Sequence, residues 1–181
     1  MRRVVVTGMG IVSPLGNDLA STWDGIVNGR SGIGPVTHFD VSGLTTRIAG
    51  EVRDFDITRW VNPKDAKKMD EFIHYGVAAS MMALEDAGIT IDDTNAERIG
   101  ALIGSGIGGL RGIEEQTIKA HEGGPRKISP FYVPSTIINM LPGQVSLLTG
   151  AKGPNFSAVS ACATSNHSIG MAMRMIQHGD A

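Results

Sequence analysis

The chain holds one cysteine, Cys162, within the stretch AVSACATSNHSIG at residues 158–170. An apolar, β-branched approach precedes it and small residues follow it, a pattern typical of the corner between a strand and a helix. A helix N-terminus offers unpaired N–H groups and the positive end of the helix dipole, which favour a nucleophilic thiolate. Those N–H groups can also stabilise an oxyanion. Composition alone favours a small buried cysteine that packs like a hydrophobic residue, whereas the context favours a covalent nucleophile.

A cysteine nucleophile needs a base, and none of the five histidines is placed to serve it. Helix geometry rotates His167 about 140° away from Cys162 and puts His178 about 24 Å along the axis. Three others have no local partner and are expected to be surface or capping residues: His38, His74 and His121. The residues alone therefore indicate a nucleophile without its base.

The elements around this corner predict an α/β fold with a mainly parallel sheet, because short apolar strands alternate with amphipathic helices. The predicted strands are residues 3–7, 47–52, 98–104 and 155–160. The predicted helices begin at an N-cap Asn17, at an N-cap Asn62 with Pro63 in the first turn, at residue 110, at Ser135 and at Cys162. Gly88 and Gly179 are expected to end the second and last of these, Pro142 to disturb the fourth, and residues 123–134 to form a loop.

The glycine-rich stretch GSGIGG at residues 104–109 fits the pattern of a dinucleotide-binding loop. Such a site needs an acidic residue at the end of the following strand, about 20 residues on. The segment after Gly109 is predicted to be helix and loop instead. Tight backbone turns are therefore the favoured interpretation, and no cofactor or metal is expected.

The bulk properties exclude several function classes. The chain has 181 residues and a net charge of −2, which gives no overall attraction to nucleic acid or membrane. A single cysteine excludes an internal disulfide framework and indicates a reducing compartment. The apolar run in the start MRRVVVTGMG is too short for a signal peptide. The uncharged stretch 153–173 is interrupted by polar residues and is therefore not expected to span a membrane. We therefore predict one cytoplasmic domain that does not cross a membrane.

Four ordered motifs resemble those of the β-ketoacyl-acyl-carrier-protein synthases. They are VVVTGMGIVSPLG at residues 4–16, GSGIGGL at 104–110, PSTIINMLPGQVSLLTGAKGP at 134–154, and the cysteine stretch. Ile107 looks like the second type of that family, since type I tends to carry glycine there. The resemblance implies a homodimer with the thiolase-like fold, an αβαβα layered sandwich of two related halves. Residues 1–181 would be most of the N-terminal half.

The resemblance also implies a mechanism. Cys162 would accept an acyl chain from acyl carrier protein as a thioester, and decarboxylation of malonyl-carrier protein would extend that chain by two carbons to a 3-oxoacyl product. The Cys162 N–H would supply half of the oxyanion hole. Ile107 would gate the acyl pocket, and Phe131, Val133 and Ile137 would line the pocket of the partner subunit.

Two basic clusters fit the same resemblance. Lys64, Lys67 and Lys68 form the first, and Arg126 and Lys127 the second. On sequence alone such runs are solvated surface residues. The resemblance suggests that they receive the acidic carrier protein and speed its encounter.

The family places its two catalytic histidines, a supporting lysine and the second oxyanion N–H in a later half. Residues 1–181 alone are therefore expected to be inactive. Three alternatives stay open: another acyltransferase of the thiolase superfamily, a ketosynthase subunit of a polyketide synthase, and a nucleotide-binding module. The non-catalytic subunits that pair with polyketide ketosynthases usually lack the cysteine, so Cys162 argues against a non-catalytic subunit.

Overall fold

The computed structural model describes residues 2–181, along which seven α-helices and four short strands are found. The helices are α1 (Leu19–Val27), α2 (Pro63–Ala66), α3 (Glu71–Ala87), α4 (Leu110–Gly123), α5 (Tyr132–Thr136), α6 (Met140–Thr149) and α7 (Thr164–His178). The strands are β1 (Ile33–Pro35), β2 (Ile48–Gly50), β3 (Ala101–Leu102) and β4 (Asn155–Phe156). Single 3-10 turns lie at Ile57–Arg59, Ala96–Arg98, Pro125–Lys127 and Ala161–Ala163.

The strands nearest Cys162 pair in parallel. Ala101 of β3 lies opposite Asn155 of β4, and Leu102 lies opposite Phe156. The chain crosses from one strand to the other through α4, α5 and α6, as a parallel connection requires. Helix α6 packs on both strands and α7 packs on β3. The predicted α/β class is confirmed, while β1 and β2 form a separate antiparallel pair.

The core lies mainly between α3 and α6. Ile73 and Val77 of α3 are completely buried, one helical turn apart, and they share a cluster with Leu141 and Val145 of α6. Gly76 allows this close packing, because a Cβ atom there would lie 2.5 Å from a methyl carbon of Leu141.

The strand predicted at residues 3–7 is absent from the described structure. This run has no assigned secondary structure, and Val5 and Val6 are exposed. The chain packs instead through its glycines: a Cβ atom at Gly8 would lie 2.3 Å from the Ala83 carbonyl oxygen of α3. An apolar run has strand propensity, but a strand forms only when a neighbour completes its hydrogen-bond ladder.

The helix predicted to run from Asn62 to Gly88 is two helices. Asn62 caps α2 through hydrogen bonds from the N–H groups of Lys64 and Asp65, as predicted, but α2 ends at Ala66. Asp70 has extended backbone and begins α3. Aspartate competes with the helical backbone in this way because its short side chain accepts nearby N–H groups. Gly88 ends α3 in the left-handed conformation, which confirms that prediction.

Two further helix starts differ from the prediction. Asp18 caps α1 by accepting from the Ser21 N–H, while the Asn17 side chain donates to the Arg53 carbonyl oxygen. Pro142 does not disturb its helix, because α6 begins at Met140 and places Pro142 in the first turn. Backbone N–H groups there have no intrahelical acceptor, so proline removes no hydrogen bond.

The remaining strands are shorter than predicted, and the predicted loop contains regular structure. Strands expected at residues 47–52, 98–104 and 155–160 are β2, β3 and β4. The loop expected at residues 123–134 contains the turn Pro125–Lys127 and the start of α5. Helix α4 and the Gly179 end of α7 are confirmed.

A buried carboxylate ties the segment after β1 to the end of β2. Glu51 accepts hydrogen bonds from the Thr37 N–H at 2.9 Å, the Thr37 hydroxyl at 2.8 Å and the His38 N–H at 3.3 Å. The bond from the Thr37 N–H is the main cause that lowers the pKa of Glu51, and burial opposes it. A lowered folded-state pKa stabilises the fold above the unfolded value, and this stability is lost as the pH falls through the folded-state pKa.

We therefore expect Glu51→Gln to be less stable than the wild type at pH 7 and to lose less stability on acidification. Urea unfolding at pH 7 and at pH 3 measures both effects. Glu114→Gln is the control, because Glu114 is exposed on α4. An equal loss of stability on acidification in wild type and Glu51→Gln would contradict the prediction.

Candidate active site

Cys162 lies in the 3-10 turn Ala161–Ala163, between β4 and α7, and its side chain is exposed. The predicted strand-to-helix corner is therefore present, although α7 begins at Thr164, two residues later than predicted. No side chain caps the N-terminus of α7. The Thr164 N–H donates to the Ala161 carbonyl oxygen, and the positive end of the α7 dipole lies beside the thiol.

The turn that carries the thiol is strained. Ala161 has φ = 49°, a left-handed conformation that costs a residue with a Cβ atom about 1–3 kcal/mol. Two hydrogen bonds hold the turn in place. The Ser160 N–H donates to the Thr164 hydroxyl at 2.9 Å, and the Ala163 N–H donates to the Ser160 carbonyl oxygen at 3.0 Å. Thr164 is only 4% exposed, so this anchor belongs to the packed interior.

The glycine-rich stretch at residues 104–109 packs directly against that turn. A Cβ atom at Gly104 would lie 2.3 Å from the Thr164 methyl carbon and 2.5 Å from the Ala158 carbonyl oxygen. At Gly106 it would lie 3.6 Å from the Ala161 Cα atom. Gly104 therefore allows a close approach that a side chain would prevent, whereas a Cβ atom at Gly106 would make an ordinary van der Waals contact. Helix α4 is followed by the turn Pro125–Lys127 and by α5, not by the strand with a terminal acidic residue that a dinucleotide site requires.

The apolar residues expected around the acyl chain lie in two adjoining segments. Ile107 is 67% exposed between two glycines. The next residues contact α5: the Gly109 N–H donates to the Thr136 carbonyl oxygen at 3.0 Å. Helix α5 and its flanks carry the other three residues, all exposed: Phe131, Val133 and Ile137.

The histidines make contacts other than with Cys162. His167 Nδ1 bonds to the Ser160 hydroxyl at 2.5 Å, and His74 Nε2 to the Ala66 carbonyl oxygen at 2.9 Å. Among residues 2–181 no hydrogen bond joins a histidine to the thiol. This agrees with the sequence analysis, in which rotation around the helix excluded His167 and distance along it excluded His178 as a base for Cys162.

The basic residues expected to receive a partner are all exposed. Lys64 lies on α2, Lys67 and Lys68 follow it, and Lys68 pairs with Asp65 at 2.7 Å. Arg126 and Lys127 lie in the turn after α4.

Sequence reasoning missed two cations near the first basic cluster. A groove of 420 Å³ is lined by Lys67 and Lys68 and, on α4, by Arg111 and Lys119. Arg111 pairs with Glu115 at 3.0 Å and Glu71 at 3.2 Å, and the hydrogen bond to Glu115 raises the pKa of Arg111. The spacing of residues 111, 115 and 119 places them on one helix face and could have revealed this set.

Over the described range 2–181, no cluster of three or more His, Cys, Asp or Glu side chains is arranged to hold a metal. Within the same range no helix combines the length and apolar character needed to cross a membrane. The cytoplasmic location stays a prediction from the sequence.

Comparison with known proteins identifies relatives along the whole chain. The model of the "Beta-ketoacyl synthase, N-terminal domain" family matches residues 1–181. The chain is 53% identical over 180 residues to 3-oxoacyl-[acyl-carrier-protein] synthase 2 of Vibrio harveyi and 48% identical to that of Synechocystis. Each alignment covers 99% of this chain and 43% of the relative, so the chain spans less than half the length of these proteins.

Solved structures agree with this match. The ishigamide ketosynthase/chain length factor superposes with a TM-score of 0.86 at 30% identity, covering 99% of this chain and 45% of the other. A type II polyketide ketosynthase in complex with its acyl-carrier protein superposes with a TM-score of 0.83 at 27% identity. This match covers 100% of this chain and 48% of the other. The fold of the ketosynthases, the expected thiolase-like fold, is therefore confirmed. The exposed thiol on its turn, the glycines packed against it and these matches lead to one conclusion: the chain belongs to the β-ketoacyl synthase family and matches its N-terminal domain.

Proposed function

We propose that the protein carrying this chain is a fatty-acid condensing enzyme, a 3-oxoacyl-acyl-carrier-protein synthase whose nucleophile is Cys162. The observation that carries the proposal is the exposed thiol on a strained turn ahead of the uncapped N-terminus of α7. The identity of 53% to a synthase of this name supports the substrate class.

In the first half-reaction the Cys162 sulfur attacks the carbonyl carbon of an acyl chain on carrier protein. A new sulfur–carbon bond forms, and the carrier thiol leaves with a proton. The Cys162 N–H supports the oxyanion, because donors at a fixed turn stabilise charge that develops in the transition state.

In the second half-reaction malonyl-carrier protein loses carbon dioxide, and the electron pair of the broken bond becomes a carbanion. That carbanion attacks the acyl carbonyl on Cys162, the sulfur–carbon bond breaks, and the 3-oxoacyl product leaves two carbons longer. No histidine described here bonds to the thiol. We therefore assign the acid–base groups to residues outside this set, and expect residues 1–181 alone to be inactive.

Acyl carrier protein is the proposed partner. The exposed basic residues support it, and a solved ketosynthase that resembles this chain is in complex with its carrier protein. The proposal includes a homodimer in which Phe131, Val133 and Ile137 reach the partner's pocket; their exposure supports a covered interface. Lys68 lies 5.4 Å from the centre of the Phe131 ring, so the two surfaces adjoin.

Incubation of the full-length gene product with acyl- and malonyl-carrier protein tests the function. Mass spectrometry should show 3-oxoacyl-carrier protein. A ketosynthase of polyketide assembly is the second candidate, supported by the TM-scores of 0.83 and 0.86. Such an enzyme would extend a 3-oxoacyl primer at least as well as a saturated one, so comparison of the two primers separates the candidates.

Ile107→Phe should lower kcat/KM more for long acyl primers than for short ones. Overfilling an apolar slot costs about 1–3 kcal/mol, which is about 5- to 150-fold in rate. Ile118→Phe on the exposed face of α4 is the control, and it should leave kcat/KM unchanged for both long and short primers. Equal losses for both primers would show that Ile107 does not gate the pocket.

A further inference from the structure

Asp70 lies where three helices meet. It follows Lys67 and Lys68, begins α3, and accepts the Phe72 N–H with one carboxylate oxygen at 3.5 Å. Its own N–H donates to the Ser135 carbonyl oxygen of α5 at 3.3 Å. Asp70 is therefore tied to α5 through its backbone and to α3 through its side chain.

The other carboxylate oxygen serves a different helix. It accepts the Gly112 N–H of α4 at 2.9 Å. Helix α4 begins after Gly109 and has no capping side chain of its own. Gly112 is the third residue of α4, the position whose N–H a capping side chain normally accepts. Asp70 thus caps α4 from outside that helix, and its charge lies at the positive end of the helix dipole.

Two glycines make this contact possible. A Cβ atom at Gly109 would lie 3.0 Å from the Asp70 carboxyl carbon and 2.8 Å from the Thr136 Cα atom. At Gly112 it would lie 2.9 Å from the Asp70 oxygen and 2.9 Å from the Thr136 methyl carbon. Thr136 is buried, so the start of α4 is held between Asp70 and α5.

This junction controls the place of Ile107. Only Gly108 and Gly109 separate Ile107 from α4, and Gly108 has φ = 80°. The position of the first turn of α4 therefore determines where Ile107 lies relative to α5. We infer that Asp70 is a positioning residue that sets acyl-chain selectivity by capping α4 against α5. This inference rests on the proposed function of the site.

Three variants of the full-length gene product separate the two caps. Asp70→Asn keeps one carbonyl oxygen, which can still accept the Gly112 N–H, while its NH2 group cannot accept the longer bond from the Phe72 N–H. Asp70→Ser can still cap α3, because serine is a good N-cap residue, but its side chain is too short to reach Gly112. Asp70→Ala loses both caps. Asp18→Ala is the matched control, since Asp18 caps α1 alone.

We expect Asp70→Ser and Asp70→Ala to change the ratio of kcat/KM for long and short primers by about fivefold, the scale of one lost helix cap. Asp70→Asn should keep the wild-type ratio. Asp18→Ala should lower the melting temperature without changing the ratio, and alkylation of Cys162 should stay unchanged in all four. A wild-type ratio in folded Asp70→Ser, or equal losses for both primers, would overturn the inference.

Amide hydrogen exchange at Gly112 measures the bond without requiring activity. Protection there should fall in Asp70→Ser and persist in Asp70→Asn; unchanged protection in both would also overturn the inference. If the wild type fails to condense, the proposed function fails and the exchange result still decides whether Asp70 caps α4.

Discussion

Replacing Cys162 with serine should abolish condensation and leave the fold intact. The serine hydroxyl is nearly isosteric with the thiol but far less ionised, so the covalent step is lost. Removal of a nucleophile typically lowers kcat by about three orders of magnitude or more. Because Cys162 is exposed, the change removes no core contact, and the melting temperature should not move.

The adduct itself is the direct measurement. After incubation with acyl-carrier protein, mass spectrometry of the wild type should show the acyl group on the Cys162 peptide. At neutral pH iodoacetamide should alkylate Cys162 faster than free cysteine, because the N-terminus of α7 favours the thiolate.

The double variant Cys162→Ser/Thr45→Cys is the matched control, since it carries one exposed thiol in a loop. It should alkylate like free cysteine and take no acyl chain. Acylation of that loop thiol, or a folded wild type without an adduct on Cys162, would contradict the assignment.

Gly104→Ala should both destabilise the protein and impair acylation of Cys162. The added Cβ atom would lie 2.3 Å from the methyl carbon of buried Thr164 and 2.5 Å from the Ala158 backbone oxygen. Neither group is the far end of a flexible side chain, so the turn that carries the thiol must move. Overpacking of this kind costs about 1–3 kcal/mol.

Urea unfolding and the rate of Cys162 acylation measure the two effects of Gly104→Ala. Gly43→Ala is the control, because a Cβ atom at Gly43 has no neighbour within 4 Å. Its unfolding free energy and acylation rate should match the wild type. If Gly104→Ala behaved like Gly43→Ala, the glycine-rich stretch would not abut the nucleophile turn.

Local patterns predicted the parts of the fold that depend on a few neighbouring residues. Gly88 and Gly179 end their helices because each takes the left-handed conformation that ends a helix and that other residues avoid. Helix α4 follows from its own periodicity. The corner at Cys162 follows from the change between apolar and small residues. Four ordered motifs were sufficient to recognise the family.

Predictions that needed a partner segment were less exact. Residues 3–7 have the composition of a strand, but no ladder forms along them in the described structure. The single helix predicted after Asn62 is broken because Asp70 accepts N–H groups from its own helix and from α4. Periodicity cannot detect that second bond, since it joins residues 42 positions apart.

The sequence by itself determined the fold class, the family and the residue expected to act as nucleophile, because these depend on residue types, short spacings and ordered motifs. Only the tertiary structure decided how the site is held. It placed Gly104 against Thr164, gave Ala161 its strained conformation, and brought Arg111 and Lys119 beside Lys67. Each of these depends on which helices pack together. Such contacts join residues far apart in the chain, where local propensity carries no information.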